Sequence, residues 1–113
     1  MRLLALTLLL AVVIAVAAVG ARGGGELSAR QVAFWDRVAA CEEHGAWWQR
    51  GGVYVGGLGI WYGNWWAWGR HVGVYSQAHR TSRLDQMRVA QWGYENVRAW
   101  WGCFAVTGRP IIE

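Results

Sequence analysis

The chain has 113 residues, a length that fits one domain. Its net charge is +4, and all eleven basic residues are arginine. That balance favours anionic partners, such as cell-wall polymers, nucleic acid or anionic lipid, but is too modest to choose among them. Ten tryptophans are more than so small a core can bury, so some must be exposed or line a groove, as aromatic area at binding surfaces does.

The first element is apolar. Arg2 gives a short positive start, and Leu3 to Gly20 is uncharged and apolar apart from Thr7. Val19 and Ala21 have the spacing of small residues before a signal-peptidase cut. Residues 1–21 therefore read as a secretory signal or an uncleaved membrane anchor. Residues 22–28 read as a linker, glycine-rich through Glu26. Beyond it roughly 90 residues remain, a size at which a covalent staple helps. Export would let the only two cysteines, Cys41 and Cys103, pair.

Ser28 and Gln31 have capping-box spacing, which predicts a helix from Ala29 to His44 with Gly45 as its left-handed stop. Trp35, Val38, Ala39 and Glu42 share its apolar face. Two short β-rich runs, Val53 to Val55 and Leu58 to Trp61, flank Gly56-Gly57 and predict a small hairpin. Asn64 is a candidate N-cap for a short helix ending at Gly69, and Arg70 to Arg80 reads as loop. Ser82 caps a last long helix whose apolar stripe is Met87, Ala90, Tyr94, Val97 and Trp101. Residues 29–106 form the predicted domain, an α+β fold that is mainly α, and residues 107–113 a loose tail.

Glu42 is the sharpest chemical signal. It ends an apolar stripe and is followed closely by Trp47 and Trp48. Desolvation disfavours a charged carboxylate, and a carboxylic acid that keeps its proton can give it to a leaving oxygen. A solvated glutamate at a helix end is the plainer alternative. No second catalytic acid announces itself. Asp36 and Glu43 lie round the helix from Glu42, and Asp85 and Glu95 read as solvated charges. His44, His71 and His79 lack metal-ligand spacing with the cysteines, so no metal site is expected.

The order of motifs resembles the resuscitation-promoting factors and related actinobacterial transglycosylase-like domains. Trp35 to Glu42 matches their opening tryptophan, short helix and Cys-Glu pair, and Gly45 and Trp47 stand where they carry Gly and Trp. Gly56-Gly57-Leu58 matches their Gly-Gly-Leu hairpin. Trp65, Ser82-Arg83, Gln86, Val89-Ala90 and Cys103 match later positions. The likeness spans about Phe34 to Phe104. Two positions depart from the pattern: Ala46 replaces an asparagine, and Gly59 replaces a frequent glutamine.

The resemblance implies a small lysozyme-like domain with a sugar groove, and Glu42 as the catalytic acid of a peptidoglycan lytic transglycosylase or muramidase. A single acid suits the transglycosylase, since two-carboxylate glycosidases need a second one across the bond. Trp47, Tyr54, Gly57, Trp61 and Trp65 are the candidate substrate contacts, while Trp66, Trp68, Trp100 and Trp101 are assigned to the core or an interface. No cofactor is implied. The expected partner is peptidoglycan, with a second cell-wall hydrolase as a candidate, no nucleic acid, and membrane only through an uncleaved N-terminal segment. The expected location is secreted, at the cell wall, or anchored at the membrane. A non-catalytic wall-binding module is the main rival, and a membrane-active Trp/Arg-rich peptide a weaker one.

Overall fold

A computed structural model describes residues 25–113, so the signal or anchor expected over 1–21 and the start of the linker lie outside the described residues. Among the described residues no helix is long and apolar enough to cross a membrane.

Helix α1 (Ala29–Glu43) begins with a closed capping box. Gln31 N–H donates to Ser28 Oγ at 3.1 Å, and Ser28 N–H donates to Gln31 Oε1 at 2.8 Å. The stop comes one residue earlier than the sequence predicts. His44 itself takes the left-handed cap (φ 55°), and Gly45 follows at φ 78°.

Strands β1 (Tyr54–Val55) and β2 (Ile60–Trp61) pair antiparallel, with Tyr54 opposite Trp61 and Val55 opposite Ile60. The expected strands are longer than the observed ones. Gly56-Gly57 is the first half of a four-residue turn, not a two-residue loop, and Leu58 leaves strand geometry to be buried in the core. A Cβ on Gly57 would lie 2.6 Å from the Trp47 ring, so the hairpin seats directly on that indole.

Helix α2 (Tyr62–Gly69) follows β2 without a loop, and its N-cap is Trp61, with no side-chain cap. Asn64 is therefore inside the first turn and not its cap. The expected loop from Arg70 to Arg80 contains two 3-10 turns, Arg70–Val72 and Ala78–Arg80. Ser82 caps helix α3 (Arg83–Val97) as predicted, accepting from Asp85 N–H at 3.1 Å. Its stripe ends early: Val97 is exposed, while Arg98 (φ 57°) turns the chain so that Trp101 returns to the core from beyond the helix. Helix α4 (Phe104–Thr107) follows. The tail is tied rather than loose, since Ile111 C=O accepts from Gln31 Nε2 at 2.9 Å and from Gln91 Nε2 at 3.0 Å.

Four tryptophans, Trp35, Trp65, Trp68 and Trp101, are buried with Phe34, Leu58, Met87 and Phe104. Trp35 and Trp101 meet edge to face at 5.1 Å. Burying an indole requires a partner for its N–H. Trp35 Nε1 donates to Gln91 Oε1 (2.7 Å), Trp65 Nε1 to Ser76 C=O (2.9 Å), and Trp101 Nε1 to Leu58 C=O (2.8 Å). Gln86, 1% exposed, joins hairpin and helices. Its Oε1 accepts from Gly57 N–H (2.9 Å), and its Nε2 donates to the carbonyls of Trp47, Ala78 and Thr81. The Cys41–Cys103 disulfide ties the end of α1 to the segment before α4.

Candidate functional site

A groove of about 700 Å³ opens between the end of α1, the hairpin, α2 and the segment after α3. Both Glu42 and Glu43 line it, with Tyr54, Trp61, Asn64 and Trp100 among the groups around them.

Glu42 reaches the groove because it continues the buried face of α1, one full double turn beyond Trp35, which is 0% exposed. Its Oε1 accepts the Cys103 N–H at 2.9 Å. Cys103 is also the disulfide partner of Cys41, the residue before Glu42. The carboxyl is thus positioned from two directions, by its own helix and by a backbone amide anchored covalently beside it.

Glu43 enters the groove from the next position. At the last turn of a helix, side chains about 100° apart can flank a site that lies off the helix end. Its Oε1 would lie 2.7 Å from a Cβ on Gly59, so that side chain passes close over a glycine held at φ 57°. A side chain at position 59 would strain the backbone and push the Glu43 carboxylate aside.

The aromatic wall follows from the hairpin register. Tyr54 and Trp61 are cross-strand partners, and both are exposed. Trp100 adds an exposed indole from the segment after α3, and the Arg109 guanidinium lies over it at 5.6 Å. Trp68 and Trp101 reach the groove with one edge while remaining core residues. Flat aromatic faces, a side-chain amide and two carboxyls equip the groove to hold a polyhydroxylated chain and move a proton at it.

Of the candidate contacts, the structure gathers Glu42, Tyr54 and Trp61 into one groove. Three others do structural work. Trp65 is 2% exposed in the core, Trp47 packs under the hairpin, and Gly57 donates to Gln86 where only a glycine clears the Trp47 ring. Trp48, expected beside Glu42, is exposed and does not line the groove. The other carboxylates lie elsewhere: Asp36 pairs with Arg83 at 3.5 Å and Asp85 with Arg88 at 2.8 Å, while Glu95 lines a separate cleft.

Glu43, Asn64 and Trp100 also line the groove, where the sequence alone does not place them. Helical angle sets Glu43 apart from Glu42, Asn64 has the chemistry of a cap, and the spacing of Trp100 suits a core or an interface. A usable signal existed for Trp100: Gly102-Cys103 fixes the chain near Cys41, which brings its neighbours to the Glu42 end of α1. Compared with protein-family models, with curated proteins and with solved structures, the chain gives no match.

Proposed function

We propose that the chain cleaves peptidoglycan glycan strands as a lytic transglycosylase of lysozyme-like fold, with Glu42 as the catalytic acid. The observation that carries this reading is the Glu42 carboxyl, oriented by Cys103 N–H, in a groove walled by exposed Tyr54, Trp61 and Trp100. In the reaction, the Glu42 carboxyl protonates the glycosidic oxygen between muramic acid and glucosamine, and the C1–O bond breaks. The muramic acid 6-hydroxyl attacks C1 to close a 1,6-anhydro ring and returns its proton to the Glu42 carboxylate. Tyr54, Trp61 and Trp100 stack on sugar rings, and Asn64 offers an amide to their polar groups. The disulfide suits an oxidising compartment outside the cell.

One observation favours plain hydrolysis as the second reading. Glu43 brings another carboxylate into the groove, where it could activate a water for attack at C1. Incubating the purified full-length chain with peptidoglycan and analysing the soluble products by mass spectrometry separates the two. Anhydro ends lost in Glu42→Gln and retained in Glu43→Gln support the transglycosylase. Reducing ends lost in both variants support the hydrolase. Tight binding to the wall with no fragments released, equal in wild type and Glu42→Gln, would leave a non-catalytic binding module.

A further inference from the structure

A second cleft lies on the other side of the hairpin, and it has the opposite charge. Successive strand residues point to opposite faces. Tyr54 therefore faces the acidic groove, and Val55 faces a pocket of about 380 Å³. Arg50, from the loop before β1, and His79-Arg80, from the second 3-10 turn, line this pocket. No acidic one among the described residues does. Among the described residues, neither Arg50 nor Arg80 has a carboxylate within ion-pair distance, unlike Arg30, Arg83 and Arg88.

Arg50 and Arg80 both act on His79, which lines the same pocket. His79 lies below the usual imidazole range, through desolvation first and then the charges of Arg50 and Arg80. The imidazole thus lies within reach of both permanent cations, which disfavour a third positive charge there. Tyr62 and Trp66, one turn apart on α2, supply exposed aromatic faces to the same pocket. A bare phosphate or carboxylate needs only the arginines. An apolar flat wall beside them suits an oxyanion carried on a ring with a C–H face, and the volume lies in the range of small-ligand sites.

We propose that this pocket binds an acidic sugar unit of an anionic glycopolymer, Arg50 and Arg80 taking its carboxylate or phosphate and Trp66 its ring. The site does not depend on cleavage in the groove. It would hold the domain on a charged polymer while the acidic groove works on another strand.

Native affinity electrophoresis of the full-length chain tests this, in gels containing polygalacturonate, phosphorylated dextran or neutral dextran at fixed ionic strength. Retention by polygalacturonate, phosphorylated dextran or both, and not by neutral dextran, is expected; which one retains it names the oxyanion. Arg50→Gln/Arg80→Gln should weaken retention by about tenfold, as loss of two charge-assisted contacts implies. Arg30→Gln/Arg70→Gln, which removes the same charge elsewhere, should change it by less than about twofold. Equal weakening in both double variants would reduce the effect to net charge and overturn the site. Trp66→Ala, at an exposed position, should weaken retention with the arginines intact; unchanged retention would overturn the sugar assignment. Unfolding midpoints matching the wild type certify each variant as folded.

Discussion

Replacing Gln86 by Met tests the claim that one buried amide fastens the hairpin to the helices. The side chains have similar length and volume, so packing is nearly preserved while every polar contact is lost. Gly57 N–H and Ala78 C=O lie in buried bonds to Gln86, and the Trp47 and Thr81 carbonyls in partly buried ones. Orphaning a buried donor or acceptor costs about 1–3 kcal/mol, so the two buried groups together cost about 2–6 kcal/mol. A domain of about 90 residues has a total stability of about 4–13 kcal/mol, so this is a large share of it. At this size each kcal/mol moves the midpoint by about 4–8 °C, and the variant should lose at least about 8 °C. Thermal unfolding of the full-length, oxidised chain by near-ultraviolet circular dichroism measures it. A loss under about 3 °C would mean that water replaces the amide, and that Gln86 does not hold the hairpin.

Other variants address the groove and its frame. Glu42→Gln keeps an oxygen for Cys103 N–H, so fragment release should fall at least about 100-fold while the unfolding midpoint changes little; a fall in both would make Glu42 a structural residue. Gly57→Ala places a methyl in the Trp47 ring and should cost about 1–3 kcal/mol in urea unfolding. Gly52→Ala, where a Cβ meets nothing, should stay within about 0.5 kcal/mol of wild type, and equal costs would refute the packing argument. Cys41→Ser/Cys103→Ser opens a link between residues 62 apart and should cost about 4 kcal/mol, read from the same transitions. Trp100→Ala should raise KM for soluble glycan chains by about fivefold with kcat nearly unchanged, whereas an unaltered KM would remove Trp100 from the groove wall.

The elements legible in the sequence were those written in local chemistry. Ser28 with Gln31 and Ser82 with Asp85 mark helix starts because a side chain must satisfy first-turn N–H groups. The apolar spacing of Trp35, Val38 and Ala39 marked a buried face correctly, and that face led to Glu42. What misled were features decided at a distance. Asn64 has the chemistry of a cap, but β2 runs straight into α2 and takes the cap position. Val97 continues a helical period that the left-handed Arg98 cuts off. Trp65 and Trp100 carry the same side chain, but Trp65 is buried with its N–H on the Ser76 carbonyl while Trp100, in the segment leading to Cys103, is bared to the groove. The tie on the tail is invisible to local chemistry for the same reason, because Gln31 and Gln91, which hold Ile111, come from helices far apart in sequence.

The amide that orients Glu42 belongs to a residue that arrives late. Cys103 lies 62 residues beyond Cys41, and the same residue that bonds to Cys41 places its N–H beside the carboxyl of the next residue, Glu42. One covalent bond and one hydrogen bond therefore bear on the same turn of α1, so the last segment of the chain sets the geometry of a groove whose carboxyls come from its first helix.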